Sequence, residues 1–132
     1  GQVLETILQD VLDTPVSPEL LPQEDDKIVQ KTEDIVGPYE LHDFFIYHMV
    51  RFGDEPCKLY KKTKLAFKDK YDKETIKKWL HLFYWRFFSQ QFKRSCIPDG
   101  PKVGSVALSP RGDWRMPSDA VNKVWMYEIE KL

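Results

Sequence analysis

Cysteine is scarce: the 132 residues hold only Cys57 and Cys96. No disulfide framework can carry such a fold, and neither cysteine stands at metal-ligand spacing from His42, His48 or His81, so both are expected to be reduced thiols. An excess of charge of one sign is also missing. Twenty Lys and Arg oppose twenty-one Asp and Glu, net -1, which removes any general attraction to nucleic acid. Long apolar runs are absent too. The strongest, Trp79 to Trp85, stops at Arg86, far short of the roughly 20 residues that cross a bilayer. The first ten residues carry Glu5 and Asp10, no basic residue and no signal-type apolar run. The expectation is therefore a cytoplasmic chain with no nucleic-acid or membrane partner. No Gly-rich phosphate loop, HExxH zinc motif or nucleophile elbow occurs, and no serine or cysteine has a base partner at a telling spacing.

What the chain does hold is material for one buried core, with 42% hydrophobic and 14% aromatic residues. Its charge is unevenly placed. Residues 1–43 carry eleven acids against two lysines, net -9, and residues 44–132 eighteen bases against ten acids, net +8. A solvated acidic loop, or an acidic segment folded over basic elements of the same or a second copy, accounts for this asymmetry.

Hydrophobic spacing predicts an all-α chain of about four to five helices, with no repeat, no second domain and no convincing strand. Leu4, Ile7, Leu8, Val11 and Leu12 form the stripe of a short helix that Pro15 ends. That helix has no cap and starts at the first residues, which points to a chain cut from a longer one, with Gly1 a cloning remnant. Residues 14–37, with Pro15, Pro18, Pro22 and three consecutive acids at 24–26, read as a loop. Gly37 and Pro38 start a second helix that buries Leu41, Phe44, Phe45, Met49 and Phe52 and stops at Gly53. His48 on its apolar face reads as a packed histidine rather than a ligand. Residues 54–71 give a weak or broken helix. Asp72 caps the strongest one, about Lys73 to Arg94, whose Ile76, Trp79, Leu80, Phe83, Tyr84, Phe87 and Phe88 keep a 3.6-residue period, widened by Leu82 and Trp85. Its aromatics could stack bases, but helical spacing assigns them to a core or an oligomer seam. Ser118 is expected to cap a last helix with Val121, Val124, Trp125, Ile129 and Leu132 on one face.

The anomaly is the stretch 95–117, which sets four prolines and three glycines between two helices. Compact domains rarely keep so long a loop without a use. It is basic, with Lys93 and Arg94 before it and Lys102, Arg111 and Arg115 within it, against Asp99 and Asp113. Glycine backbone can approach an anion closely, and Arg and Lys supply charge-assisted bonds to phosphate or carboxylate. An anion-binding loop and a solvated basic connection both fit this composition.

Several of these residues also carry a family likeness. Ser89, Gln91, Phe92, Lys93, Arg94 and Ser95, then Pro98, Gly100, Pro101, Lys102 and Val103, then LSPRGDWRMP at 108–117 with Ser118 and Asp119, resemble the C-terminal signature of the glutamine-dependent NAD synthetases. DTPVSPELLP at 13–22, Thr32, Glu33 and VGPYELHDFF at 36–45 are similar to the same family in the same order. The resemblance covers nearly the whole chain and is weakest at 54–71 and around 23–30.

The resemblance implies a C-terminal piece of an α/β adenine-nucleotide-hydrolase-like (PP-loop) synthetase domain spanning 1–132. In the family an SGGxDS pyrophosphate motif and a nitrilase-like glutaminase domain with a Glu, Lys, Cys triad do the rest, and neither is in this sequence. The whole enzyme adenylylates the nicotinate carboxylate of deamido-NAD with Mg-ATP, and ammonia then displaces AMP to give NAD. The implied partners are deamido-NAD, ATP, ammonia, the remaining domains and further copies in a homo-oligomer. ATP and Mg are substrates of the whole enzyme, with none expected on this fragment, which is expected to be inactive alone. By position, Lys93 corresponds to the family lysine at the nicotinate end of deamido-NAD and Arg94 to its basic neighbour. Asp113, Trp114 and Arg115 correspond to the late motif lining that pocket and the ammonia route, and Ser17 to a loop hydroxyl on the ATP phosphates, although a turn serine between prolines explains it equally. Glu33 and Tyr39 fall near substrate or a subunit boundary and serve first as residues of helix starts. No catalytic residue and no metal ligand is expected here. The alternative is a non-catalytic helical module that binds an acidic partner protein through its basic loop.

Overall fold

A computed structural model describes residues 1–14, 32–98 and 100–132. Among them there are seven helices and no strand: α1 (Gln2–Asp13), α2 (Thr32–Val36), α3 (Tyr39–Phe52), α4 (Pro56–Ala66), α5 (Lys73–Ser89), α6 (Gln91–Cys96) and α7 (Lys123–Glu130). The all-α expectation holds, with more and shorter helices than the sequence predicts. The chain divides into two compact units, Gly1–Pro38 and Tyr39–Leu132.

In the first unit, α1 follows the predicted stripe, and Leu4, Ile7, Leu8, Val11 and Leu12 are exposed. Part of the expected loop is helical instead. Thr32–Val36 form α2, which ends on Gly37 in a left-handed conformation (φ 95°) with its N–H donating to the Glu33 carbonyl at 2.8 Å.

The second unit is built around α5. Asp72 caps it as predicted, its Oδ1 accepting from the Thr75 amide at 2.7 Å. Ile76, Leu80, Phe83, Tyr84, Phe87 and Phe88 are buried along one broad face, and α3, α4, α6 and α7 pack against this helix. Phe83 meets Phe45 of α3 with ring centroids 5.4 Å apart, and Phe88 stacks on Trp125 of α7 at 4.5 Å. A core of interlocked rings fills volume well and tolerates truncation poorly.

Four sequence expectations need correction. The long helix does not run from Lys73 to Arg94: it ends at Ser89, and after Gln90 the chain restarts as α6. Residues 56–66 form a complete helix, begun by Pro56 at its first turn and burying Leu59, Tyr60 and Thr63, so lysine richness marks its solvent face and not weakness. Ser118 is no cap. The last helix starts at Lys123, Val121 and Val124 are exposed, and its buried contacts come from Ile129 with Trp125 and Leu132 beside it. Phe52 and Trp85 are 57% and 46% exposed, so the stripes of α3 and α5 are narrower than periodicity indicates.

One ionic knot fastens α3 to α4. Gly53 adopts φ 64° and its N–H donates to the Met49 carbonyl, which turns the chain so that Asp54 faces inward. The Asp54 side chain is wholly buried. Lys58 Nζ lies 2.7 Å from its Oδ1, Lys62 bonds its Oδ2, and His48 Nδ1 stands 3.2 Å from Oδ2. His48 is thus packed, as expected, but into an ionic cluster. Burial pushes the Asp54 carboxyl up; the bonds and charges of Lys58 and Lys62 outweigh this and bring it down to about 2. The Tyr84 hydroxyl donates to the Asp54 carbonyl at 3.3 Å, tying the knot to α5.

Candidate functional site

The basic stretch after α6 is the natural place to look, and it has its own internal order. Lys102 Nζ donates to Asp113 Oδ2 at 2.6 Å, and the same oxygen accepts from the Ala107 amide at 3.0 Å. The bond from Lys102 holds the Asp113 carboxyl below the usual carboxylate range, with the Ala107 amide and the charge of Arg51 adding to it. Arg111 Nη2 donates to the Ile97 carbonyl at 2.9 Å, which joins the second half of the loop to its start. Trp114 is half-buried, edge-on to Phe87 at 5.2 Å, and donates its indole N–H to Met116 Sδ. With Leu108 and Met116 it fixes the loop to the core.

These bonds frame a cleft of about 590 Å³ lined by Arg94, Lys102, Ala107, Arg111 and Asp113 among others. Three of its charged walls are cations, so its chemistry suits phosphate or carboxylate oxygens. At Gly100 and Gly104 a Cβ would meet no atom of the described residues beyond its chain neighbours within 4 Å.

Arg94 is anchored from behind. Its Nε donates to Gln91 Oε1 at 2.8 Å, its Nη2 donates to the same oxygen and to the Phe87 carbonyl, and the guanidinium lies over the Phe87 ring at 4.2 Å. The Phe87 carbonyl belongs to the last turn of α5, so Arg94 also caps that helix where it ends beside Gln90. Burial draws the Arg94 pKa down.

The expected site residues therefore separate. Arg94 and Asp113 line one cleft. Lys93 is exposed on α6 beside Arg94 and makes no ion pair among the described residues. Trp114 serves mainly as the loop's anchor. Arg115 is exposed and borders a shallow depression with Pro110, Arg111, Met116 and Pro117. Glu33 and Tyr39 are exposed residues at or beside helix starts, and Ser17 lies outside the described residues. Sequence reasoning missed Gln91, which is wholly buried. Its signal was present: it falls four residues after Phe87 and three after Phe88, at helical spacing from the buried face.

Among the described residues no helix is long and apolar enough to cross a membrane, and no group of His, Cys, Asp or Glu could hold a metal ion.

Compared with known proteins, no family model matches the chain. It is 41% identical, over 97% of its length, to the glutamine-dependent NAD(+) synthetase of Mycobacterium leprae, and 38% identical, over 99% of its length, to those of Mycobacterium tuberculosis and Mycobacterium bovis. It covers 22% of each of these relatives, in their C-terminal part. The resemblance to the glutamine-dependent NAD synthetases thus extends over nearly the whole chain, and the alternative of a helical module for an acidic partner finds no support.

Proposed function

We propose, from this likeness to the glutamine-dependent NAD synthetases, that the chain is the C-terminal segment of such a synthetase domain and supplies part of its deamido-NAD site. The cationic cleft framed by Arg94, Lys102 and Arg111 is the observation that carries this reading. Cations held in place by the protein bind a phosphate or carboxylate more strongly than the same groups free to move, because the cost of ordering them is already met.

In this reading deamido-NAD lies along the cleft and its nicotinate carboxylate approaches Lys93. The carboxylate oxygen attacks the α-phosphate of ATP, pyrophosphate leaves, and ammonia then attacks the acyl adenylate and releases AMP. Lys93 orients the carboxylate and stabilises negative charge developing at the phosphate. Arg94 supplies a fixed positive wall. Arg115 adds positive charge at the border of the same loop, and Asp113, held by Lys102, fixes the loop's shape more than it meets substrate. The cations that line this cleft are ammonium and guanidinium groups, which suit anionic oxygens, and Mg-ATP and the glutaminase chemistry are assigned to the rest of the enzyme. The synthetase works as a homo-oligomer in the cytoplasm.

Two observations test the reading. The reading frame ahead of Gly1 is expected to encode an SGGxDS stretch, and its absence would overturn the assignment. The purified 132-residue chain, given deamido-NAD, Mg-ATP and ammonia, is expected to form no NAD and release no pyrophosphate. Turnover above background would show that the chain is more than a contributing segment.

A further inference from the structure

Gln91 is a polar side chain in an apolar setting, wholly buried beside Phe87 and Phe88. Its Oε1 accepts both Nε and Nη2 of Arg94, while its Nε2 has no hydrogen-bond partner among the described residues. Leaving a buried amide N–H unpaired is costly, and an apolar residue would avoid that cost. A cap for α5 does not explain the glutamine either, since Arg94 reaches the Phe87 carbonyl by itself.

The chemistry of the acceptor is informative. A carboxylate at position 91 would hold the guanidinium at least as firmly, but it would cancel its charge. A neutral amide fixes Arg94 and leaves its full positive charge on the cleft wall, while the Phe87 ring restricts the guanidinium on one face. We propose that Gln91 is a positioning residue for the anion site: it fixes Arg94 without neutralising it, so that the cleft offers a held cation to a phosphate of deamido-NAD. This inference rests on the function proposed above.

The test uses the complete synthetase that contains this segment, with two variants and their KM for deamido-NAD, kcat and thermal midpoint. Gln91→Glu keeps an acceptor for Arg94 and adds the cancelling charge. It is expected to raise KM about tenfold, the loss of one charge-assisted contact, with kcat within about threefold of wild type. Gln91→Met keeps the volume, removes the acceptor and frees Arg94; it is expected to raise KM at least fivefold without lowering the thermal midpoint. A residue that only packs or caps would change the midpoint and leave KM alone. A KM within twofold of wild type in folded Gln91→Glu overturns the proposal, and if that variant does not fold, the same result in Gln91→Met overturns it. A wild-type protein that makes no NAD from deamido-NAD would defeat the functional reading and this inference with it. An active wild type with an indifferent Gln91 would defeat the inference alone.

Discussion

Replacing Asp54 by Asn keeps the size of the side chain and removes the charge that Lys58, Lys62 and His48 surround. The Asp54 carboxyl falls from 3.8 to about 2 on folding, and at about 1.36 kcal/mol per unit this corresponds to about 2.5 kcal/mol of stability at neutral pH. Lys58 is 65% exposed, so water and salt screen part of its contribution. About 1–2 kcal/mol is the expected destabilisation in Asp54→Asn at pH 7. The folded value is the depressed one, so this stability is present above the unfolded value near 4 and is lost as pH falls toward 2. Urea unfolding of the 132-residue chain, followed by tryptophan fluorescence, should show the gap between wild type and variant fall to about half at pH 3. A gap under about 0.3 kcal/mol at pH 7, or an equal gap at both pH values, would refute the electrostatic account of the knot.

Phe83, 3% exposed and ringed by Phe45, Tyr84 and Phe87, should cost about 3–5 kcal/mol when cut to Ala, read as a shift in urea midpoint; a change under roughly 1 kcal/mol would place it outside the core. In hydrogen exchange the amides of 100–106 should exchange well before those of α5, while Ala107 and Trp114, whose amides donate to Asp113 and to the Ser109 carbonyl, should be slower than their neighbours; protection across 100–106 equal to that of α5 would contradict this ordering.

Periodicity located α1, α3 and α5 and most of the core, because a 3.6-residue stripe directly reflects which face is covered. It misjudged ends. The break at Gln90 coincides with a side-chain contact seven residues along the chain, Arg94 on the Phe87 carbonyl, which hydrophobic periodicity does not register. Helix α4 was underrated because its buried face is partly polar, with Thr63 donating to the Leu59 carbonyl at 2.8 Å. Val121 fits a helical pattern but precedes the helix, and Val124 lies in its first turn on the exposed side. At the site, composition identified a basic loop and left open whether it was organised. The Lys102 to Asp113 bond and the Trp114 contact with Phe87 answer that, and both join residues eleven or more apart in sequence. The motif likeness marked Lys93, Arg94 and the 113–115 segment, but only three dimensions separate Arg94 on the cleft wall from Trp114 beneath the loop.

The central claim is that Lys93 acts on the nicotinate end of deamido-NAD while Lys102, paired with Asp113, only shapes the loop. The measurement is steady-state kinetics of the complete synthetase with Lys93→Ala and, as its comparison, Lys102→Ala, whose ammonium is engaged with Asp113. Lys93→Ala should raise the KM for deamido-NAD and lower kcat by a combined factor on the order of 100, about 3 kcal/mol, because the contact strengthens as charge develops. Lys93→Arg should recover only part of this, since a planar fork cannot take the place of a compact ammonium. Glutamine hydrolysis should persist in all three variants. Equal, small losses in Lys93→Ala and Lys102→Ala would mean that the loop supplies a diffuse positive field, and would contradict the role assigned to Lys93.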